Sequence, residues 1–148
     1  MSEKIKNLDE LEQLALSRPK QTVALAAANS EEALLAVEYA RQKGILDAHL
    51  VGDLDLKPIC EKNGIDLGNY QVTDVKDPKE AAAAAVALIR EGKAHLLMKG
   101  LVETSDFLRA VLSSATGIRG TDRMCALVVL ECRAVDKLLI LGDVGVNI

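Results

Sequence analysis

Residues that could do chemistry are concentrated in one stretch, residues 98–112, which reads MKGLVETSDFLRAVL. An apolar run ends there at Lys99 and Gly100, hydroxyls and an acid follow, and a helix-like segment carries Arg109. A strand end, a flexible turn and a helix start together form a place where backbone N–H groups point at an anion. The order of these residues therefore predicts a phosphate site.

Several donors of this stretch converge if Thr104 caps a helix that runs from Ser105 onward. Asp106 and Arg109 then lie three residues apart on the exposed face of that helix. The Arg109 guanidinium, beside unpaired N–H groups and two hydroxyls, would bind a tetrahedral dianion through bidentate contacts. Lys99 at the strand end would add positive charge.

The same residues also fit a purely structural interpretation. Thr104 would then only cap the helix, and Asp106 would only favour the positive end of the helix dipole. Asp106 and Arg109 would form a surface ion pair worth roughly a few tenths of a kcal/mol. The spacing alone leaves both interpretations open.

The sequence supports a metal site or a reactive thiol less well than it supports a phosphate site. His49 and His95 stand in strand-like runs without Cys or carboxylate partners at ligand spacing, so no metal site is predicted. Cys125 and Cys132 flank an apolar run and are interpreted as core thiols rather than nucleophiles.

The composition of the chain limits which kinds of partner it could bind. The 148 residues are 49% hydrophobic, which predicts a single α/β domain over residues 1–148 with a real core. A net charge of −4, with Lys and Arg scattered, argues against a nucleic-acid groove or an anionic membrane surface. Three cysteines without CxxC spacing, and no apolar leader or bilayer-length run, predict a reduced cytoplasmic protein.

Strand-like and helix-like segments alternate along the first two thirds of the chain. An amphipathic helix is predicted over residues 7–17, and strands over 22–28, 45–52, 70–75 and 94–98 alternate with helices over 31–43, 58–63 and 78–91. Glycines 44, 64 and 92 follow the predicted helix ends and act as stop signals. This alternation predicts an α/β fold with four parallel strands.

The last third of the sequence has a different pattern. Residues 113–123 are polar and glycine-bearing, which predicts a loop. Two apolar runs, 126–131 and 137–141, are separated by a connection too short for a crossover helix. They predict an antiparallel hairpin that makes the sheet mixed at one edge.

Over nearly its whole length the chain resembles the N-terminal portion of the phosphate acetyl/butyryl transferases. The strongest match is LLMKGLVETSDFLRAVL over residues 96–112, and further matches cover residues 22–53, 116–120 and the final GDVGVNI. The resemblance implies a Rossmann-like, three-layer, mostly parallel sheet, in a lobe similar to that of isocitrate and isopropylmalate dehydrogenases. It also implies that family members extend well past residue 148.

The resemblance further implies a reversible reaction in which inorganic phosphate and an acyl-CoA give an acyl phosphate and free CoA. The resemblance implies a reaction without a metal. It also implies that coenzyme A is a substrate and that no cofactor takes part. By the same resemblance Arg109 holds phosphate, and the supporting positions are Lys99, Gly100, Thr104, Ser105 and Asp106. Asp143 and Asn147 stand where the family lines its cleft, and Glu103 stands where a small residue is expected.

Three hypotheses follow for the function. The chain is the phosphate-binding half of a phosphate acyltransferase, a non-catalytic anion-binding α/β module, or an interaction protein that uses the same fold. Fold analogy does not separate them, because function resides in the site. Self-association into a homo-oligomer is expected under all three, since a sheet edge without its cover tends to pair.

Overall fold

A computed structural model describes residues 4–120, 124–132 and 134–147, and only the backbone of residues 54 and 143–147. The chain divides into two compact units, Lys20–Arg119 and a unit made of Met1–Pro19 with Gly120–Ile148. None of the helices within the described ranges has the length and apolar character needed to cross a bilayer.

The larger unit is built on four parallel strands, as predicted. The strands are β1 (Gln21–Ala26), β2 (Leu46–Gly52), β3 (Gln71–Asp74) and β4 (Leu96–Lys99). Their spatial order is β3-β2-β1-β4, and each neighbouring pair is parallel. All four strands therefore end at the same edge of the sheet, where ligands of open α/β sheets gather.

Four helices connect and cover these strands. They are α2 (Glu31–Gln42), α3 (Lys57–Lys62), α4 (Pro78–Arg90) and α5 (Thr104–Leu112), with short 3-10 turns at Leu54–Leu56 and Leu67–Asn69. Ser30 caps α2 by accepting a hydrogen bond from the Ala33 N–H at 3.3 Å. Asp77 caps α4 in the same way, at 2.9 Å from the Lys79 N–H and 3.0 Å from the Glu80 N–H.

The core lies on both faces of the sheet, which confirms three layers. On one face α2 and α3 pack on the central strands through a cluster that includes Leu25, Leu34 and Leu50. On the other face α4 and α5 pack on the same strands, and Ala81 and Ala85 of α4 are fully buried there. The alanines let α4 approach the sheet closely, because they place no bulk between the two layers.

The second unit contains helix α1 (Leu8–Leu16) and an antiparallel hairpin of β5 (Cys125–Glu131) and β6 (Leu138–Asn147). The predicted mixed sheet is wrong, because in the described residues these two strands form a sheet of their own. The interpretation of Cys125 and Cys132 as core thiols is also wrong, since both are exposed. Along β5 the half-buried residues are Ala126 and Val128, and Cys125 lies among the exposed ones.

Candidate functional site

The site predicted from the sequence contains a pocket of about 450 Å³ at the carboxyl end of β4. Two chain segments form its wall: the start of α4 and the turn that leads from β4 into α5. Its lining residues are Asp77, Pro78, Lys79, Lys99, Gly100, Leu101, Val102, Glu103, Thr104 and Asp106.

Gly100 allows the turn after β4 to lie directly against the end of β1. Its N–H donates to the Ala26 carbonyl, and the Leu101 N–H donates to the Ala27 carbonyl, both at 2.8 Å. A Cβ at position 100 would stand 2.3 Å from the Ala27 oxygen, so any side chain is excluded. Ala27 itself has a φ of 52°, a left-handed conformation that is rare for a residue other than glycine. The pocket wall is thus fixed to β1 by backbone contacts.

Lys99 forms part of the pocket wall and also braces it. Its Nζ donates to the Val102 carbonyl at 2.8 Å and lies 3.4 Å from the Gly100 carbonyl. An ammonium carries three N–H donors. Lys99 can therefore hold the turn and still offer a donor to a bound anion.

Helix α5 begins one residue earlier than expected. Glu103 occupies the cap position, and its carbonyl accepts from the Asp106 and Phe107 N–H groups at 3.1 and 3.0 Å. The prediction that Thr104 caps the helix is wrong, because Thr104 is already its first helical residue. The Glu103 side chain makes no capping hydrogen bond. The N–H groups of Thr104 and Ser105 are therefore available to an anion.

Asp106 connects two cations at this end of the sheet. Its Oδ1 lies 2.6 Å from Nη1 of Arg109, and its Oδ2 lies 3.5 Å from Nζ of Lys79. The Asp106 side chain is 12% exposed, whereas those of Arg109 and Lys79 are 73% and 66% exposed. The carboxylate is held in place, and both cations reach into solvent.

The structure brings most of the predicted residues together. Lys99, Gly100, Thr104 and Asp106 belong to the pocket lining. Ser105 and Arg109 lie on α5 outside the described lining, and Arg109 reaches it through Asp106. The side chains of Asp143 and Asn147 lie outside the described residues.

Lys79 is not among the residues predicted from the sequence. The signal was present, because Asp77 followed by Pro78 is a helix-start pattern directly after β3. In a parallel α/β sheet every helix start that follows a strand lies at the carboxyl edge. Lys79, in the first turn of α4, is therefore placed beside the turn that follows β4.

A buried polar cluster lies elsewhere in the larger unit, on α2. Arg41 Nε and Nη2 each lie 2.9 Å from a Glu38 carboxylate oxygen, and the Tyr70 hydroxyl donates to the same group. The Arg41 hydrogen bonds lower the pKa of Glu38 to about 2, with Tyr70 and Gln42 adding to the shift. This cluster joins α2 to the start of β3. It has no part in the pocket lining.

Comparison with curated proteins gives a consistent set of relatives. The chain is 41% identical over 143 residues to the phosphate butyryltransferase of Clostridium beijerinckii, covering 96% of this chain and 47% of that protein. It is 34% identical over 113 residues to the phosphate acetyltransferase of Rhizobium meliloti, covering 76% of this chain and 36% of that protein. No family model matches the sequence.

Comparison with solved structures confirms the fold. A phosphotransacetylase from Streptococcus pyogenes superposes with a TM-score of 0.76 at 14% identity, covering 98% of this chain and 53% of that chain. The EutD phosphotransacetylase from Staphylococcus aureus gives a TM-score of 0.71 at 16% identity, covering 95% and 52%. The chain spans about half the length of the curated relatives that it matches.

Proposed function

We propose that this chain, a relative of the phosphate butyryltransferases and phosphate acetyltransferases, supplies the phosphate-binding half of a phosphate acyltransferase. The reaction would exchange inorganic phosphate with an acyl-CoA to give an acyl phosphate and free CoA. Coenzyme A is a substrate in this proposal, and no metal is used. The sequence relationship and the pocket beside β4 support it independently.

The pocket carries the proposal, because three anion-binding features meet there. The uncapped start of α5 offers N–H groups at Thr104 and Ser105, and the positive end of the helix dipole adds to them. Lys99 and Lys79 contribute ammonium groups from two different segments of the wall. The start of α4 is already capped by Asp77, so α4 offers a side chain rather than its N–H groups.

The proposed chemistry places one phosphate oxygen against the thioester carbonyl carbon. A C–O bond forms, the C–S bond breaks, and CoA leaves as a thiolate that takes up the proton given up by hydrogen phosphate. The described residues serve the phosphate side of this reaction, because they hold the nucleophile and neutralise its charge. Positioning of this kind supplies a large share of the rate in such transfers.

Arg109 is the catalytic residue in this proposal. Its guanidinium is tied to Asp106, but its side chain is 73% exposed and can turn without disturbing the core. A phosphate dianion offers Arg109 two oxygens at once, and a bidentate contact to phosphate is the strong kind. Phosphate binding would draw Arg109 from Asp106 to the ligand.

Replacement of Arg109 by alanine tests this role. Phosphate affinity is measured from amide shifts of the chain in ¹⁵N-labelled form, titrated at constant ionic strength. We expect Arg109→Ala to weaken binding about tenfold, the loss of one strong charged contact. Arg90→Ala is the matched control, because Arg90 is an exposed arginine in the last turn of α4, at the other end of that helix from the pocket. Equal affinity in both variants would show that Arg109 is not a phosphate ligand.

A thiol-release assay separates the catalytic proposal from its main competitor. The chain is incubated with acetyl-CoA or butyryl-CoA, with and without phosphate, and released CoA is measured. A non-catalytic anion-binding module is the second candidate, because the pocket beside β4 carries anion-binding groups whether or not acyl transfer follows. Saturable phosphate binding without phosphate-dependent CoA release would favour that module.

The proposal also covers the binding partners, the cellular location and the oligomeric state of the chain. We expect a cytoplasmic protein that acts on small molecules, without a nucleic-acid or membrane partner, because the net charge is −4 and the charges are mixed. We also expect a homo-oligomer. Leu127 and Ile140 on the hairpin are each 68% exposed, and apolar surface of this kind favours contact with a second copy.

A further inference from the structure

Asp106 is an unexpected neighbour for a phosphate. It lines the pocket as a half-buried carboxylate, and a negative charge there should repel an incoming dianion. Its contacts indicate a role other than repulsion, because each of its two carboxylate oxygens forms an ion pair with a separate cation. Oδ1 meets Arg109 on α5 at 2.6 Å, and Oδ2 meets Lys79 on α4 at 3.5 Å.

The two cations come from helices that pack together. Phe107 and Ala110 of α5 lie against the cluster that contains Ala81 and Ala85 of α4. Asp106 stands between these helices near the start of each. Its low exposure fixes the carboxylate, whereas long exposed Lys and Arg side chains otherwise sample many rotamers.

We infer that Asp106 is a positioning residue that holds Lys79 at the rim of the pocket, and that Lys79 is a further phosphate-binding residue. The inference rests on the proposed function. An ammonium that is already held loses less side-chain entropy when an anion arrives, so the carboxylate favours phosphate binding although it carries the same sign of charge. Lys79 thus adds a second helix to a site that the sequence pattern places at the end of β4 and on α5.

Glu103 provides the natural comparison. It is a second carboxylate in the same pocket lining, but it is exposed, and no cation among the described residues forms an ion pair with it. Its charge should only repel phosphate. A purely repulsive model therefore predicts that Asp106→Asn and Glu103→Gln both strengthen phosphate binding, whereas positioning by Asp106 predicts opposite signs.

The experiment is a titration with inorganic phosphate, followed by amide shifts at constant ionic strength. We expect Glu103→Gln to strengthen binding about twofold, and Asp106→Asn to weaken it about fivefold. Lys79→Met should weaken binding by a similar factor, about fivefold. Circular dichroism and thermal unfolding confirm that each variant is folded at the titration temperature.

A double variant separates positioning from general support of the fold. If Asp106 acts through Lys79, then Asp106→Asn should cost clearly less affinity in the Lys79→Met background than in the wild type. An equal loss in both backgrounds would mean a merely structural role and would overturn the inference. So would Asp106→Asn binding phosphate as tightly as Glu103→Gln does.

The outcomes also distinguish the inference from the proposed function. No saturable binding of phosphate to the wild-type chain would overturn both. Binding to the wild type, with Lys79→Met unchanged, would overturn only the assignment of Lys79 and leave the phosphate site in place.

Discussion

At the scale of single residues, close backbone contact shapes the pocket wall. Gly100 lets the turn after β4 meet the end of β1, and Ala27 adopts a strained φ of 52° at that point. Strain of this kind is kept where the surrounding structure over-determines the backbone, and it is frequent at ligand sites. The pocket wall is therefore rigid where the anion would approach.

Gly100→Ala should destabilise the protein strongly. The new Cβ would stand 2.3 Å from a backbone oxygen that cannot yield without moving β1. We expect a loss of about 2 to 4 kcal/mol in the free energy of unfolding, measured with urea. Gly120→Ala is the control, because a Cβ there meets no atom of the described residues within 4 Å and the loss should stay below about 0.5 kcal/mol. Similar losses in both variants would contradict the close approach.

His49 predicts a pH dependence of stability. Its Nε2 lies 2.7 Å from the Thr73 hydroxyl, and Nδ1 is buried without a partner among the described residues. Burial lowers the pKa of His49 below 6.5, which the neighbouring Gln71 side chain opposes and the Lys93 charge reinforces. Between that lowered pKa and about 6.5 the unfolded chain binds more protons, so the free energy of unfolding falls as the pH decreases.

The measurement is urea unfolding at several pH values for the wild type and His49→Gln. The variant should lose the part of the slope that lies just below pH 6.5, and above about pH 7.5 the two proteins should differ by a constant. An identical slope in both proteins would exclude His49 as its source.

At the scale of elements, helix α4 joins the site to the core. Its buried side carries alanines that let it lie close to β1 and β2, and its first turn brings Lys79 to the pocket. The distance between α4 and the sheet therefore sets the position of Lys79 at the pocket. A change in that distance should move Lys79.

Ala85→Leu should push α4 away from the sheet. Ala85 is fully buried, so a larger side chain has no space, and we expect a loss of about 1 to 3 kcal/mol in the free energy of unfolding. Ala83→Leu on the exposed side of the same helix makes the same chemical change and should be nearly neutral. Thermal unfolding of the two variants compares them directly. Equal shifts would contradict the close packing of α4.

Local signals were enough to predict the alternation of strands and helices. Buried apolar runs, the caps at Ser30 and Asp77 and the glycine stops with positive φ at Gly44, Gly64 and Gly92 are all encoded within a few residues. Pairing between distant segments is not local. The separation of the hairpin from the parallel sheet, and the ion pair of Lys79 with Asp106, therefore could not be read from spacing.

At the scale of the whole molecule, the chain matches about half the length of its relatives, and it presents an uncovered apolar ribbon. Leu127, Val129 and Ile140 lie on one face of the hairpin, because Val129 pairs with Ile140 and alternate residues share a face. A two-stranded ribbon alone is marginally stable in water. The expectation of one domain over residues 1–148 stays a prediction beside this division into two units.

Leu127→Glu combined with Ile140→Glu should abolish self-association. The hairpin face would then carry two charges at the proposed contact between copies, and desolvating them is costly. Sedimentation velocity should show an oligomer for the wild type and a monomer for the double variant. Leu35→Glu, a 43% exposed leucine on α2, is the control and should leave the oligomer intact. A monomeric wild type would refute the expectation.

The most direct test of the central claim is a crystal structure of this chain grown in inorganic phosphate. We expect a phosphate ion in the pocket, bound by N–H groups of Thr104 and Ser105 and by Lys79 and Lys99, with Arg109 turned from Asp106 toward it. An empty pocket at saturating phosphate, with Arg109 still paired to Asp106, would contradict it.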